Sequence, residues 1–161
     1  MATKKDTDDR RRIATNKKAY HLYHIEATYE CGIVLTGTEI KSIRENGLSL
    51  RESYASIRDG EAWVIGMHIK PYSHASTDAV PPTRDRKLLL HKKQLRTLTA
   101  KISEQGYTLV PTRAYFSREN RVKIELGLGK GKKLFDKRHD IAARDAQRDV
   151  EREMKSKQQN W

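Results

Sequence analysis

The large hydrophobic side chains of this chain are concentrated in one continuous stretch, residues 19–129, and this distribution limits the fold more than any other feature. Only 36% of the 161 residues are hydrophobic and 34% are charged, so the chain can build one compact core with much charged surface. The flanking segments, residues 1–18 and 130–161, hold few large apolar side chains, and each carries a net charge of +4. We expect a disordered basic arm, one folded domain and a basic C-terminal tail.

The net charge of +12 indicates what kind of partner the domain binds. Such a charge favours a polyanion, since each Lys or Arg that meets a phosphate releases a condensed counterion. Nucleic acid and an anionic membrane are the two candidates. The longest apolar run, Leu88-Leu89-Leu90, is far shorter than the roughly 20 residues of a membrane span. The N-terminus also lacks the apolar segment of a secretory signal. We therefore expect a cytoplasmic protein that binds nucleic acid and no membrane.

Alternation of apolar and polar residues predicts strands near both ends of the domain. Residues 23–29 alternate, and a short apolar run at 33–35 follows Gly32, which together predict a β-hairpin. Residues 109–116 and 122–128 predict the last two or three strands.

A second strand pair is predicted in the middle of the domain. Residues 54–58 and 62–69 are joined by Asp59-Gly60, a turn dipeptide whose glycine accepts positive φ. On the second of these strands, one face is predicted to carry Trp63, Ile65, Met67 and Ile69.

Two segments have the features of helices. The first opens at Thr38, a good N-cap, and closes before Gly47, a good residue for the position after a helix. The second runs from about residue 89 to 105 with Leu95, Leu98 and Ile102 on one stripe. Several short strands with two or three short helices predict a mainly β fold, a small antiparallel barrel with helices packed on it.

The sequence contains no constellation that predicts an enzyme, a metal site or a cofactor. Cys31 is the only cysteine and is predicted to be a small buried hydrophobe. The run that starts at Gly127 lacks the spacing and the Ser or Thr of a phosphate-binding loop. It is better interpreted as a flexible basic strand end whose glycines admit RNA phosphates. Its charges come from Lys130, Lys132 and Lys133.

The C-terminal segment has a period of four residues from Asp140 onward. As a helix it would carry a narrow apolar stripe between a basic row and an acidic row. The apolar stripe is Ala142, Ala146, Val150 and Met154, and the basic row is Arg144, Arg148 and Arg152. Such a stripe is too narrow to hold the helix on a barrel. Two interpretations stay open: a tail that is disordered alone and folds on binding, or a tail that is merely solvated.

Several motifs, in order and at compatible spacing, cover residues 16 to about 155. They read Asn16-Lys17-Lys18-Ala19-Tyr20, then the segment 30–42 from Glu30-Cys31-Gly32 to Lys41-Ser42, and Arg86-Lys87-Leu88-Leu89-Leu90-His91-Lys92-Lys93. They continue with Gly106-Tyr107-Thr108-Leu109-Val110-Pro111, Lys130-Gly131-Lys132-Lys133 and Asp136-Lys137-Arg138. In these motifs the chain resembles the SmpB family, the protein partners of transfer-messenger RNA in bacterial ribosome rescue.

The resemblance implies an oligonucleotide-binding (OB)-like barrel that binds the tRNA-like domain of transfer-messenger RNA. An acidic residue, a leucine and a lysine of the family's RNA face fall on Glu30, Leu89 and Lys123. The residues expected to contact RNA are Asn16, Lys17, Lys18, Glu30, Lys87, Leu89, Lys123, Lys130, Lys132 and Lys133.

The resemblance also implies a tail that becomes helical in the mRNA channel of the small ribosomal subunit, near the decoding centre. Residues expected to contact the ribosome are Phe135, Asp136, Lys137, Arg138, Arg144, Arg148, Arg152 and Met154. Elongation factor Tu would take part indirectly, through the charged RNA, and the protein would act as a monomer without chemistry of its own. A generic ribosomal-RNA-binding protein of the small-barrel kind is the chief alternative, and an enzyme that acts on RNA is a second.

Overall fold

A computed structural model describes residues 11–74, 80–104, 106–132 and 134–159, which form seven strands and four helices. The strands are β1 (Arg12–Thr15), β2 (Tyr23–Ile33), β3 (Tyr54–Arg58), β4 (Glu61–Ile65), β5 (Arg86–Leu89), β6 (Tyr107–Phe116) and β7 (Val122–Gly131). The helices are α1 (Lys17–Leu22), α2 (Gly37–Asn46), α3 (Lys92–Ser103) and α4 (Leu134–Gln159).

Antiparallel pairing closes six of the strands into a ring in the order β6-β3-β4-β5-β2-β7, with β7 returning to β6. The short strand β1 pairs with the C-terminal half of β6. A closed antiparallel sheet leaves few free edges. The arrangement confirms the predicted mainly β, OB-like fold.

The core fills the inside of this ring. Val122, Ile124, Leu126 and Leu128 alternate along β7 and are buried, as their period of two predicts. On α3, Leu98 is fully buried, and the neighbouring stripe residues Leu95 and Ile102 pack against the core. These two elements confirm the sequence interpretation of both periodicities.

The predicted hairpin of residues 23–29 and 33–35 is wrong, because β2 is one continuous strand of 11 residues. Gly32 does not turn the chain. It lies in the ladder between Leu89 of β5 and Lys123 of β7. The Asp59-Gly60 turn between β3 and β4 is confirmed, with φ of 51° and 72° at its two residues.

The predicted apolar face of the strand that follows this turn is also wrong. Ala62 and Val64 point into the core and are fully buried, whereas Trp63 is only partly buried on the other face. The strand ends at Gly66, whose φ of 80° lies in the left-handed region. The bend at Gly66 shifts the alternation of buried and exposed residues by one position. Even-numbered residues are buried before it, and Met67 and Ile69 are buried after it.

Order begins earlier than the charge pattern predicted, since β1 lies within residues 1–18 and α1 begins at Lys17. The anchor is Asn16: its side-chain amide donates to the Pro111 carbonyl (3.0 Å), and its backbone NH donates to the Thr112 carbonyl (2.8 Å). With α1 and α4, the described residues contain four helices, more than the predicted two or three. No described helix has the length and apolar content to cross a membrane.

The helix boundaries also differ from prediction. Helix α2 starts two residues earlier, where Thr36 and Glu39 form a capping box, and it ends as predicted at Gly47. Helix α3 begins at Lys92, because Leu89 belongs to strand β5. In α4, every described side chain between Arg138 and Ser156 is exposed.

Candidate nucleic-acid interface

The strand order brings three residues distant in sequence onto one outer row of the sheet. Leu89 on β5, Gly32 on β2 and Lys123 on β7 are successive register partners, and Tyr115 on β6 continues the row. Their chain neighbours Leu88, Cys31 and Ile124 point inward and are buried, so Leu89, Gly32 and Lys123 face outward, whereas Tyr115 at the end of the row is buried.

Glu30 lies on the same face of β2, two residues before Gly32. Its carboxylate accepts a hydrogen bond from the Tyr115 hydroxyl, which orients it beside the Lys123 row. Glu30, Leu89 and Lys123, which the resemblance linked, are therefore brought together in space.

Beside Glu30, a further carboxylate is fully engaged within the protein. Glu125 accepts from Arg113 Nε (2.7 Å) and from the Thr112 hydroxyl (2.7 Å). The hydrogen bond from Arg113 lowers the pKa of Glu125, and this outweighs the opposing effect of burial. The pair fixes β6 to β7 next to the outer row.

An open groove of about 380 Å³ lies against the outer row. We call it the Leu89 groove; its lining includes Gly32, Val34, Ile40, Arg44, Leu89, Arg121 and Lys123. Leu89 and Val34 remain 52% and 46% exposed although both are large and apolar. Among the residues that the structure describes, no acidic side chain lines the groove. Its surface therefore combines apolar side chains with positive charge.

A buried ion pair holds the wall of the groove in place. Glu39 on α2 accepts from Arg86 Nε on β5 (2.6 Å) and from Arg84 Nε (3.2 Å), and Arg86 has no solvent exposure. Arg86 also donates to the carbonyl oxygens of Met67 (2.7 Å) and Pro82 (3.0 Å). Burial by itself would raise the pKa of Glu39, but hydrogen bonds from Arg84, the Thr36 backbone and Arg86 lower it below its ordinary value. This pair has no local sequence signal, because nothing near Arg86 in the chain indicates that one arginine of a basic run is buried.

A second cluster of charge lies at the far end of β7. The ammonium group of Lys130 lies 4.6 Å from the centre of the Tyr107 ring, and that of Lys101 lies 5.3 Å from it. The Tyr107 hydroxyl donates to Glu26 (2.9 Å), and this hydrogen bond raises the pKa of Tyr107. Lys130 is exposed, so it is accessible to RNA. Its ammonium group also packs on the aromatic ring of Tyr107.

The other residues predicted to bind RNA occupy different environments. Lys17 and Lys18 are exposed on α1, whereas Asn16 is buried and its side-chain amide donates to Pro111. Lys87 pairs with Glu61 (2.9 Å). Lys132 is partly buried, and its backbone NH donates to Leu22 (2.8 Å). Lys133 lies outside the described residues.

The glycines of β7 serve the packing of the sheet, which corrects their interpretation as a flexible strand end. A Cβ at Gly127 would lie 2.9 Å from the Thr112 methyl carbon, and one at Gly129 would lie 2.4 Å from the His24 carbonyl oxygen. Both glycines are therefore required by close contacts within the protein. Only Gly131 of this run faces open space.

The residues predicted to contact the ribosome lie along α4. Arg138, Arg144, Arg148, Arg152 and Met154 are exposed there. Phe135, Asp136 and Lys137 belong to the first turns of α4, but their side chains lie outside the described residues.

Groups that could support chemistry are scarce in the described part of the chain. No set of three or more His, Cys, Asp or Glu side chains is placed there to hold a metal ion. Cys31 is buried, its thiol donates to the Ile124 carbonyl (3.2 Å), and burial raises its pKa to about 12. The prediction that Cys31 is a small buried hydrophobe is confirmed.

Fold and outer face together define a small OB-like β protein with a basic, partly apolar surface. A family model described as "SmpB protein" matches residues 13–156. The chain belongs to the SmpB family.

Relatives cover nearly the whole chain. An SsrA-binding protein of Ruminiclostridium cellulolyticum is 57% identical over 143 residues, which are 89% of this chain and 92% of the relative. One of Acetivibrio thermocellus is 51% identical over 148 residues, which are 92% of this chain and 96% of the relative. A solved structure described as "tmRNA-SmpB: a journey to the center of the bacterial ribosome" aligns with a TM-score of 0.63 and 44% identity, over 76% of this chain and 86% of that chain.

Proposed function

We propose that this protein binds the tRNA-like domain of transfer-messenger RNA and helps to deliver it to stalled ribosomes for trans-translation. The observation that carries the proposal is the convergence of Glu30, Leu89 and Lys123 on one outer face of the sheet. Support also comes from the names of the relatives, which are SsrA-binding proteins, and from the description of the similar structure as tmRNA-SmpB.

Each of the three residues offers RNA a different interaction. Lys123 supplies a cation for a phosphate, and no ion pair of Lys123 is found within the described residues. Leu89 offers an apolar contact to a base. The Glu30 carboxylate accepts hydrogen bonds from a ribose hydroxyl or an exocyclic amine, and the hydroxyl of Tyr115 fixes its orientation.

The tail has a separate role in this proposal. Helix α4 exposes its basic row and its apolar stripe, which suits a segment that is received by a large RNA partner. We assign it to the empty mRNA channel of the small subunit, where it senses that no message is present. The protein acts in the cytoplasm as a monomer, performs no chemistry, and meets elongation factor Tu through the charged RNA.

The RNA face is tested by Lys123→Glu in a binding assay with the tRNA-like domain. Reversing the charge at a phosphate contact should weaken binding by about tenfold or more. Lys70→Glu is the matched control, because Lys70 is exposed and lies outside the Leu89 groove. Equal losses for the two variants would remove Lys123 from the RNA face.

The division of labour is tested by deleting residues 134–161. Because the described side chains of α4 are exposed, the deletion should leave the ring and its binding to isolated RNA unchanged. It should abolish tagging of nascent chains on stalled ribosomes. Loss of binding to the isolated RNA would contradict the assignment of the tail to the ribosome.

A further inference from the structure

We infer that the Leu89 groove holds one unpaired nucleotide of the bound RNA, with Arg44 and Arg121 as further contacts to its flanking phosphates. The inference rests on the proposed function and deepens it by stating what the groove recognises. The occupant is a nucleotide lifted out of a stack, and neither a base-paired segment nor a peptide.

The groove has the size and the apolar content that a base needs. Its volume of about 380 Å³ lies within the range of sites that enclose small ligands. Leu89 and Val34 both line it, and each remains about half exposed. Adjacent exposed aliphatic side chains offer contact to the face of an unstacked base.

The floor of the groove depends on the absence of a side chain at Gly32. A Cβ at this position would lie 3.4 Å from the Leu89 Cβ, and because Gly32 lines the groove, a larger side chain here would reduce its volume. The register places Gly32 directly between Leu89 and Lys123, so glycine opens a gap in the outer row. Gly32 belongs to a regular strand and its φ is not in the left-handed region, so the backbone does not require glycine here.

The charges around the groove suit a nucleic-acid strand. Arg44 lies in the last turn of α2, Arg121 immediately precedes β7, and Lys123 is the second residue of β7; all three line the groove. Arg44, like Lys123, forms no ion pair with a described residue. Within the described residues, the one ion pair of the Arg121 side chain is a long contact with Glu119 (3.6 Å), in which both side chains are about 75% exposed. Such a pair contributes little, which leaves the guanidinium available for a phosphate.

These positions are held rigidly before RNA arrives. Glu39 on α2 pairs with buried Arg86 on β5, so the helix that carries Arg44 is fixed to the strand that carries Leu89. A preorganised site binds with a smaller loss of conformational freedom. This favours an ordered pocket for one nucleotide over a surface of independent lysines.

The first test combines an altered RNA with a filled groove. Each unpaired nucleotide of the tRNA-like domain is replaced in turn by an abasic residue. The affinity of each altered RNA for the full-length native protein and for the full-length Gly32→Val variant is then measured at physiological salt. One abasic position should weaken binding to the native protein about tenfold, as loss of a base contact does. The same position should have no effect on Gly32→Val, which already lacks the contact.

Two controls make the outcomes distinct. Gly37→Ala adds a methyl group in open space at the start of α2 and should respond to every abasic RNA as the native protein does. Thermal unfolding establishes that Gly32→Val is folded. The inference is overturned, and the proposed function stands, if the RNA binds and every abasic position that weakens binding to the native protein weakens binding to Gly32→Val equally. If the native protein shows no preference for this RNA, the proposed function itself fails.

A second measurement tests the arginines and needs no change at Gly32. Arg121→Ala and Arg44→Ala should each reduce the slope of log affinity against log salt by about one unit, the change for one lost phosphate contact. Arg58→Ala is the control, because Arg58 is an exposed arginine on β3, outside the groove lining. Slopes equal to that of Arg58→Ala would remove both arginines from the RNA interface.

Discussion

Replacing Glu39 by Gln tests whether the buried ion pair is what holds α2 against β5. The carboxylate accepts from Arg86 Nε (2.6 Å), Arg84 Nε (3.2 Å) and the Thr36 backbone NH (3.0 Å). An amide keeps one acceptor oxygen but presents NH₂ to cationic partners on its other side. Arg86, which is fully buried, would lose its counter-charge.

Removing one partner of a buried pair costs about 3–5 kcal/mol, because the remaining charge stays desolvated. We therefore expect Glu39→Gln to lower the free energy of unfolding by about 3–5 kcal/mol at pH 7. Glu61→Gln is the matched control, since it breaks the Glu61–Lys87 pair (2.9 Å), whose side chains are 46% and 38% exposed. An exposed pair contributes at most about 1 kcal/mol.

Urea unfolding followed by circular dichroism measures both variants. The pH dependence adds a second signature: the folded pKa of Glu39 is lowered, so its stabilising effect is present above the unfolded pKa and is lost as pH falls through the folded value. The difference in free energy of unfolding between the native protein and Glu39→Gln should therefore decrease as the pH is lowered. A loss no larger than that of Glu61→Gln at pH 7 would refute the reasoning.

Three further predictions concern packing and reactivity. Asn16→Ala should lower the free energy of unfolding by about 1–3 kcal/mol by leaving the Pro111 carbonyl without its donor, and an unchanged urea midpoint would contradict this. Gly129→Ala should lower the free energy of unfolding by about 1–3 kcal/mol, because its Cβ would lie 2.4 Å from the His24 carbonyl oxygen. Gly131→Ala adds a methyl group in open space and should be nearly neutral. Equal losses for the two variants in calorimetry would contradict the close contact at Gly129. Cys31, with a pKa of about 12, should react with a maleimide far faster in urea than in the folded protein, and similar rates would exclude its burial.

The features predicted correctly depend on local sequence. The Asp59-Gly60 turn needs only a residue pair that accepts positive φ, and the alternation along β7 depends on one strand facing one core. The end of α2 at Gly47 has the same local origin. In each case, the conformation that the local residues prefer is the one found in the folded protein.

The errors arose where distant strands decide the structure. Gly32 was interpreted as a turn residue, but its place is set by Leu89 and Lys123 on the neighbouring strands. The burial of Arg86 depends in the same way on Glu39, which lies 47 residues away in the chain. Pairings over such separations have no local signal.

The candidate site shows the same division. Glu30, Leu89 and Lys123 could be named in advance because their motifs resemble those of a family. Arg44 on α2 and Arg121 just before β7 lie in no distinctive motif, and the tertiary fold brings both of them to one groove. The resemblance therefore predicts residues that share one face of the sheet, whereas the groove beside that face has no sequence signal.

The most direct test of the central claim is binding of the purified protein to the tRNA-like domain of transfer-messenger RNA, with ordinary tRNA as competitor, across a salt series. The groove and the ordered contacts around Glu30 predict a preference for the tRNA-like domain that persists at physiological salt. Equal, steeply salt-dependent binding to both RNAs would contradict the proposal and would leave a nonspecific basic RNA binder.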